Sequence, residues 1–216
     1  MPKVTKEYTD AKRAHILRAA EKCFLRSGFH ATSMQDLFDE SGLSSGAVYR
    51  YFPSKDALIL WLATENLREV SEVVRATSRA GTAQPVGKVL TEILSFMSEK
   101  HQTSGFASIL VQIWSEALLN AQVGEALRVL QLELRTEFTA FIREHQAAHG
   151  RAFDTPPETL AGALLGSMQG YILQLAVLGP HAVEGMADAL ARHWTQTLST
   201  GRLPVAAADR SPNNAV

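Results

Sequence analysis

The chain of 216 residues can bury a sizeable core, because 46% of its residues are hydrophobic. Its net charge of −1 argues against a protein that binds nucleic acid through bulk positive charge alone. The single cysteine, Cys23, excludes an internal disulfide, and no secretory signal opens the chain, so a reducing cytoplasm is the expected location.

Apolar residues recur at helical rather than strand spacing, which predicts an all-α fold of about nine helices. Residues 1–8 lack this periodicity and are expected to form a flexible arm. Thr9 or Asp10 is predicted to cap the first helix. The apolar face of that helix consists of Ile16, Ala20, Cys23 and Phe24. Its position on this face predicts that Cys23 is a buried small hydrophobe rather than a reactive thiol.

Residues 32–55 are predicted to form two short helices joined by a tight turn. Thr32 and Gln35 have the spacing of a capping box, in which each side chain satisfies one backbone N–H at the start of the helix. Gly42 is expected to end this helix, because glycine adopts the left-handed conformation of a sharp turn at little steric cost.

The second helix of this hairpin is too short and polar to bury much surface. Ser44 or Ser45 is predicted to cap it, and Pro53 to end it. Small residues at its start would let the helix enter a DNA major groove, and the aromatic and cationic residues that follow can contact phosphates and base edges. From these features alone, an ordinary helical hairpin with a solvated cationic face fits equally well.

The whole stretch of residues 16–60 resembles the DNA-binding domain of the tetracycline-repressor (TetR) family. The matching positions are Ile16, Ala19, Ala20, Phe24, Gly28, Phe29, Thr32, Ser33, Gly42, Leu43, Ser44, Gly46, Tyr49, Tyr51, Phe52, Ser54, Lys55 and Leu58. So many matched positions are far more specific than a lone short motif. The chain has Leu37-Phe38 where the family usually has Ile-Ala, which changes packing of that helix but not the DNA-facing residues.

The resemblance implies a DNA-binding transcriptional regulator and not an enzyme. Residues 9–53 would form the helix-turn-helix domain, residues 54–201 the ligand-binding and dimerisation domain, and residues 202–216 a disordered tail. A repressor of this kind leaves a palindromic double-stranded operator when a small, largely apolar effector binds. The DNA-facing positions implied are Ser33, Gln35, Ser44, Ser45, Gly46, Ala47, Tyr49, Arg50, Tyr51 and Lys55.

Within that set, Gln35, Ser45 and Arg50 are the candidates for base edges, and Tyr49, Tyr51 and Lys55 for the DNA backbone. The effector is expected among side chains that combine apolar walls with a few polar groups. These are Phe96, Trp114, Phe138, Met168, Tyr171 and Gln174. Each of the six also suits an ordinary core position.

Ser54 is predicted to cap a long fourth helix, which a linker over residues 77–85 follows. Three amphipathic helices come next, and they are expected to end near His101 to Gly105, near Asn120 to Gly124 and at Gly150.

Residues 159–179 carry no charge and are long enough to be weighed as a membrane span. Thr155 and Glu158 form a second capping box before this stretch, which favours a buried helix of a soluble protein without membrane contact. Pro180 is predicted to open the last helix. In the family the last two helices build a four-helix bundle, which implies a homodimer.

Gly162, Gly166 and Gly170 recur every four residues along the uncharged segment. They either admit a helix of a second subunit or make room for a bulky side chain of the same chain.

Two other motifs point to chemistry that the surrounding sequence does not support. Residues 42–46 spell G-x-S-x-G, but the hydrolase nucleophile with this motif follows a β-strand, and a helical pattern precedes it here. His145 and His149 stand four residues apart without a third metal ligand, so no metal is expected. No phosphate-binding or dinucleotide glycine motif is present, so no cofactor is expected. A helical interaction protein without DNA binding is the remaining alternative.

Overall fold

The computed structural model describes residues 6–79, 85–150 and 153–200, and all regular secondary structure in these residues is helical. The α-helices are α1 (Lys6–Ala31), α2 (Met34–Ser41), α3 (Ser45–Tyr49), α4 (Lys55–Arg79), α5 (Val86–Ser104), α6 (Phe106–Glu116), α7 (Ala121–His149), α8 (Pro157–Leu178) and α9 (Met186–Thr200). The predicted all-α fold is therefore confirmed. We call α1–α3 the head and α5–α9 the body, with α4 joining them.

The first helix is longer than predicted. It includes residues 6–8 of the expected arm, so Thr9 and Asp10 lie inside the helix and do not cap it. Glu7 in the first turn suits the positive end of the helix dipole. Residues 1–5 lie outside the described residues.

The direction of α1 changes at Gly28, whose φ of 78° is left-handed backbone that favours glycine. Beyond this turn Phe29 packs edge-on against Phe24, with ring centroids 4.6 Å apart. The Thr32 hydroxyl donates to the Gly28 carbonyl at 2.8 Å, which fixes the connection to α2.

The capping box of α2 is displaced by one residue from the prediction. Ser33 Oγ accepts from the Asp36 amide at 3.2 Å, and Asp36 Oδ2 accepts from the Ser33 amide at 2.8 Å. Thr32 does not cap α2, because its hydroxyl is buried and bonded to α1. At the other end Gly42 adopts φ 65°, as predicted.

Helix α4 begins where Ser54 Oγ accepts from the Ala57 amide at 3.1 Å, as predicted. It packs against α7, while α5 packs against α9, and α8 lies against α6 and α7. Residues 77–79 of the expected linker continue α4, residues 80–84 lie outside the described residues, and Pro85 precedes α5. The predicted tail over residues 202–216 also lies outside them.

Two predicted helix starts in the body are wrong. No side chain caps α8, because Pro156 occupies the N-cap position and Glu158 pairs with Arg143 instead of with Thr155. Pro180 opens only a short 3₁₀ turn, Pro180–Val183, and not the last helix. Gly185, with a left-handed φ of 69°, then interrupts the helical conformation before α9 begins.

Among the described residues, α8 is the one helix that is long and apolar enough to cross a membrane. Its buried side packs within the protein, where it carries Leu164, Met168 and Tyr171. Ser167 and Gln169 bond to α9 and α7, respectively: Trp194 Nε1 donates to Ser167 Oγ at 3.2 Å, and Gln169 Nε2 donates to Gln131 Oε1 at 3.1 Å. These contacts match those of a core helix in a helical bundle.

Candidate nucleic-acid interface

Helix α3 is short, capped and held by one buried residue. Ser44 Oγ accepts from the Ala47 amide at 3.4 Å, and Val48 is completely buried. The Tyr49 ring packs edge-on against Phe38, with centroids 5.5 Å apart, yet 47% of Tyr49 stays exposed. The bulky Phe38 therefore supports the side of α3 and leaves its outer face open.

The outer face of α3 presents most of the residues predicted to contact DNA. Ser44, Ser45, Gly46 and Arg50 are exposed, while Ala47 and Tyr51 are half-buried. Arg50 forms no ion pair with any described residue. Its guanidinium can therefore bind an external phosphate or base edge without first losing an internal partner.

The two candidate residues of α2 already have partners in the protein. The Ser33 hydroxyl also donates to Asp36 Oδ2 at 2.7 Å, and Gln35 Nε2 donates to Asp39 Oδ1 at 2.8 Å. Both side chains are exposed. Ser33 would have to give up its bond to Asp36 Oδ2 in order to donate to DNA, whereas Gln35 keeps a second amide N–H and its Oε1 for such a contact.

Lys55 joins the start of α4 to the end of α1. Its ammonium group donates to the His30 carbonyl at 3.2 Å and to the Thr32 carbonyl at 3.0 Å. An ammonium group has three N–H donors, so one remains for a phosphate. The sequence pattern marked Lys55 as a DNA contact but did not reveal this structural role.

Two residues on α6, Gln112 and Glu116, connect the body to the head, and the sequence analysis predicted this role for neither of them. Gln112 Oε1 accepts from the Phe29 amide at 3.1 Å, and Gln112 Nε2 donates to the Phe24 carbonyl at 3.2 Å. Glu116, which is buried, lies 3.6 Å from His30 Nε2. The one signal for Gln112 in the sequence is a lone amide within the apolar run of α6.

The six side chains predicted to line an effector site do not surround one cavity. Trp114 and Met168 share a cavity of about 30 Å³, which is room for a single water molecule. Phe138 is part of the core, and the Tyr171 hydroxyl lies 2.5 Å from Ser98 Oγ. The remaining two, Phe96 and Gln174, are half-buried outside that cavity.

The alternative sites do not gain support from the geometry. Helix α2 precedes the G-x-S-x-G motif, and Ser44 acts as a helix cap, so the strand required by a hydrolase nucleophile is missing at this position. The rings of His145 and His149 lie 4.2 Å apart, but the described residues contain no group of three potential metal ligands. Cys23 is 1% exposed, and burial raises the pKa of its thiol, as expected for a structural cysteine.

Comparisons with known proteins agree with this geometry. Residues 16–62 match the family model of bacterial regulatory proteins of the tetR family. Residues 85–199 match the C-terminal region of BetI-type transcriptional repressors. The chain is 26% identical to the HTH-type transcriptional repressor AcnR of Corynebacterium jeikeium over 88% of this chain and 94% of that protein.

A shorter match reaches higher identity. The uncharacterized HTH-type transcriptional regulator YfiR of Bacillus subtilis is 37% identical over 45% of this chain and 46% of its own length. Among solved structures, Salmonella enterica GusR superimposes with a TM-score of 0.71 and 26% identity, covering 94% of this chain and 99% of that one.

The exposed second helix of the hairpin, together with the family matches over residues 16–62 and 85–199, places the chain among helix-turn-helix transcriptional regulators. The chain belongs to the TetR family of bacterial regulatory proteins. It is a DNA-binding regulator and not an enzyme. Regulators of this family bind DNA operators and small-molecule effectors and are dimeric.

Proposed function

We propose that the protein is a homodimeric, cytoplasmic repressor that leaves a palindromic operator when a small molecule binds to its body. The observation that carries the proposal is the exposed outer face of α3, next to which Arg50 has no ion-pair partner among the described residues. One α3 can enter only one major groove, so tight and selective binding needs a second copy at a fixed spacing. A twofold dimer supplies that copy and makes the operator a palindrome.

The proposed contacts to DNA fall into two groups. Ser45 and Arg50 reach base edges, together with the second amide N–H and Oε1 of Gln35. Tyr49 and Tyr51, with the free donor of Lys55, bind the phosphate backbone and fix the orientation of α3. The other four residues of the set, Ser33, Ser44, Gly46 and Ala47, allow a close approach because they are small.

An exposed stripe on α8 supports the proposed dimer. Ala163, Gly166, Gly170, Leu173 and Val177 follow one another at helical spacing, and all are exposed except the half-buried Gly170.

The glycines of that stripe are open toward the outside. Among the described residues, no atom lies within 4 Å of the position that a Cβ of Gly166 or Gly170 would occupy, so no described side chain fills the groove. Of the three glycines, Gly162 faces a described part of its own chain, since the Arg135 guanidinium lies 3.7 Å from the position that its Cβ would occupy. We propose that α8, with α9, packs against the same helices of a second subunit.

Selection of bound sites from random DNA by the purified protein tests the proposal. We expect a palindrome whose half-site centres lie about one helical turn, ~10 base pairs, apart. Enrichment of no sequence, or of one without twofold symmetry, would contradict the proposal. A reporter promoter that carries the selected site should then be silenced by the protein; increased expression would show an activator.

A further inference from the structure

In the part of the chain that the structure describes, a cleft of about 380 Å³ opens between α4 and α7. Its lining comprises Thr64, Arg68, Ser71, Arg75, Glu125, Ala126, Val129, Leu130 and Glu133. None of the six residues that the sequence suggested for the effector belongs to this lining. The volume lies within the range of small-molecule sites, which is roughly 300–1,000 Å³.

A buried polar group without a partner marks the floor of this cleft. Ser71 is 3% exposed, and its hydroxyl has no hydrogen-bond partner among the described residues. A buried hydroxyl in this state is unfavourable, because it has lost its bonds to water and gained none. A bound molecule with one hydrogen-bonding group would satisfy it.

Each charged residue of the cleft already has an ion-pair partner. The lining contains two arginines and two glutamates. Arg68 pairs with two glutamates of its own helix, and Arg75 crosses to α7, where it lies 3.6 Å from Glu133 and 3.1 Å from Glu137. Glu125 pairs with Arg128 of its own helix, so an ionic ligand would have to displace an existing ion pair, while Ala126 and Val129 offer apolar walls.

We propose that this cleft binds an uncharged, largely apolar small molecule that forms one hydrogen bond with Ser71. The inference rests on the proposed function, for which it supplies the effector site. Helix α4 forms one wall of the cleft and carries the head at its other end. An occupant that changes the separation of α4 from α7 therefore changes the position of α3.

The fluorescent probe N-phenyl-1-naphthylamine suits the test, because it is neutral and apolar and has a single N–H group. We expect saturable binding to the full-length protein. Ala126→Phe fills the cleft and should weaken binding at least ~10-fold, the loss expected when a ligand no longer fits its pocket. The matched control is Ala140→Phe, which adds the same ring at an exposed position of α7 outside the cleft and should leave the affinity unchanged.

Ser71→Ala provides a second variant that does not depend on adding bulk. We expect it to weaken probe binding about 3- to 10-fold, the value of one hydrogen bond. Its melting temperature without probe should equal or exceed that of the wild type, because an unsatisfied buried hydroxyl has been removed. A purely structural role of Ser71 would lower the melting temperature instead.

Two results would overturn the inference: unchanged probe affinity in both Ala126→Phe and Ser71→Ala, or conversion of Ala126→Phe into a monomer, which would assign the cleft to a subunit interface. Its failure is distinguishable from that of the proposed function. If DNA selection gives a palindrome but neither variant changes the affinity for the probe, only the proposed effector site is wrong. If both variants weaken probe binding but no DNA sequence is selected, only the proposed function as an operator-binding regulator is wrong.

Discussion

Ser33 and Asp36 hold the first turn of α2 through reciprocal hydrogen bonds, which lower the pKa of Asp36 below its ordinary value of 3.8, the bond from the Ser33 amide contributing most. A lowered folded-state pKa means that the stabilisation is complete above pH 3.8 and is lost as the pH falls through the lower pKa. The capping box therefore stabilises the hairpin at neutral pH, and this stabilisation is lost in strong acid, where the Asp36 carboxylate is protonated.

Substitution of Asp36 tests this pH dependence. Asp36→Asn should lower the melting temperature at neutral pH, and its difference from the wild type should vanish at a pH below the lowered pKa. Thermal unfolding followed by circular dichroism across the acid range measures both. Asp10→Asn, in an exposed position within α1, serves as the control and should show no such convergence. A difference that persists in strong acid would contradict the role of the carboxylate.

Arg50 and Lys55 are both proposed to contact DNA, but only one of them also supports the fold. Arg50→Ala should reduce the salt slope of operator binding by about 1 without changing the melting temperature. Lys55→Ala should reduce the slope by about 1 and also lower the melting temperature, because the carbonyls of His30 and Thr32 lose their donor.

Fluorescence anisotropy at several salt concentrations, together with thermal unfolding, separates these outcomes. Arg128→Ala removes the same charge from α7 and should leave the salt slope unchanged. An unchanged slope in Lys55→Ala would mean that this lysine has only the structural role.

At the scale of elements, Gln112 of α6 holds the head through hydrogen bonds to the main chain of α1. Gln112→Ala should lower the free energy of unfolding by about 1–3 kcal/mol, because the Phe24 carbonyl and the Phe29 amide lose the hydrogen bonds that Gln112 makes with them. Urea unfolding measures the change. Gln102→Ala, at an exposed position of α5, is the control and should have an effect within ~0.5 kcal/mol. Equal stability of the two variants would show that the contact with α6 does not hold the head.

Helix ends marked by glycine were predictable, whereas α3 ends at Tyr49, before the expected Pro53, and α6 ends at Glu116, before the expected residues 120–124. Gly42, Gly105 and Gly150 end α2, α5 and α7 in the left-handed conformation, since few other residues adopt it without strain. A capping hydroxyl, by contrast, can be taken by another partner, as Thr32 is taken by α1. Local sequence does not reveal that competition.

Contacts between distant parts of the chain could not be predicted from the sequence for a related reason. The α3 surface could be predicted because its residues are contiguous and the glycine, serine and proline signals around them are local. The bond from Gln112 to Phe24 joins positions 88 residues apart. The cleft beside Ser71 exists only where α4 packs on α7, and periodicity indicates which residues are apolar without showing where packing leaves space.

At the scale of the whole molecule, the exposed stripe on α8 predicts how two chains associate. Leu173→Glu should shift the protein from dimer to monomer, because a carboxylate would be buried without a partner in the proposed interface. Sedimentation or light scattering reads out the mass directly. Leu132→Glu, at a similarly exposed leucine on α7, is the matched control and should remain dimeric. A dimeric Leu173→Glu protein would place the interface elsewhere.

The contact of Gln112 with the main chain of α1 affects how the DNA specificity of such a regulator can evolve. Its two bonds go to main-chain atoms on either side of Gly28, a carbonyl and an amide that any non-proline residues at those positions would supply. The body therefore holds the backbone of the head without depending on the side chains that face DNA. Substitutions on α3 can redirect the protein to a new operator while the mechanical link to the body stays intact.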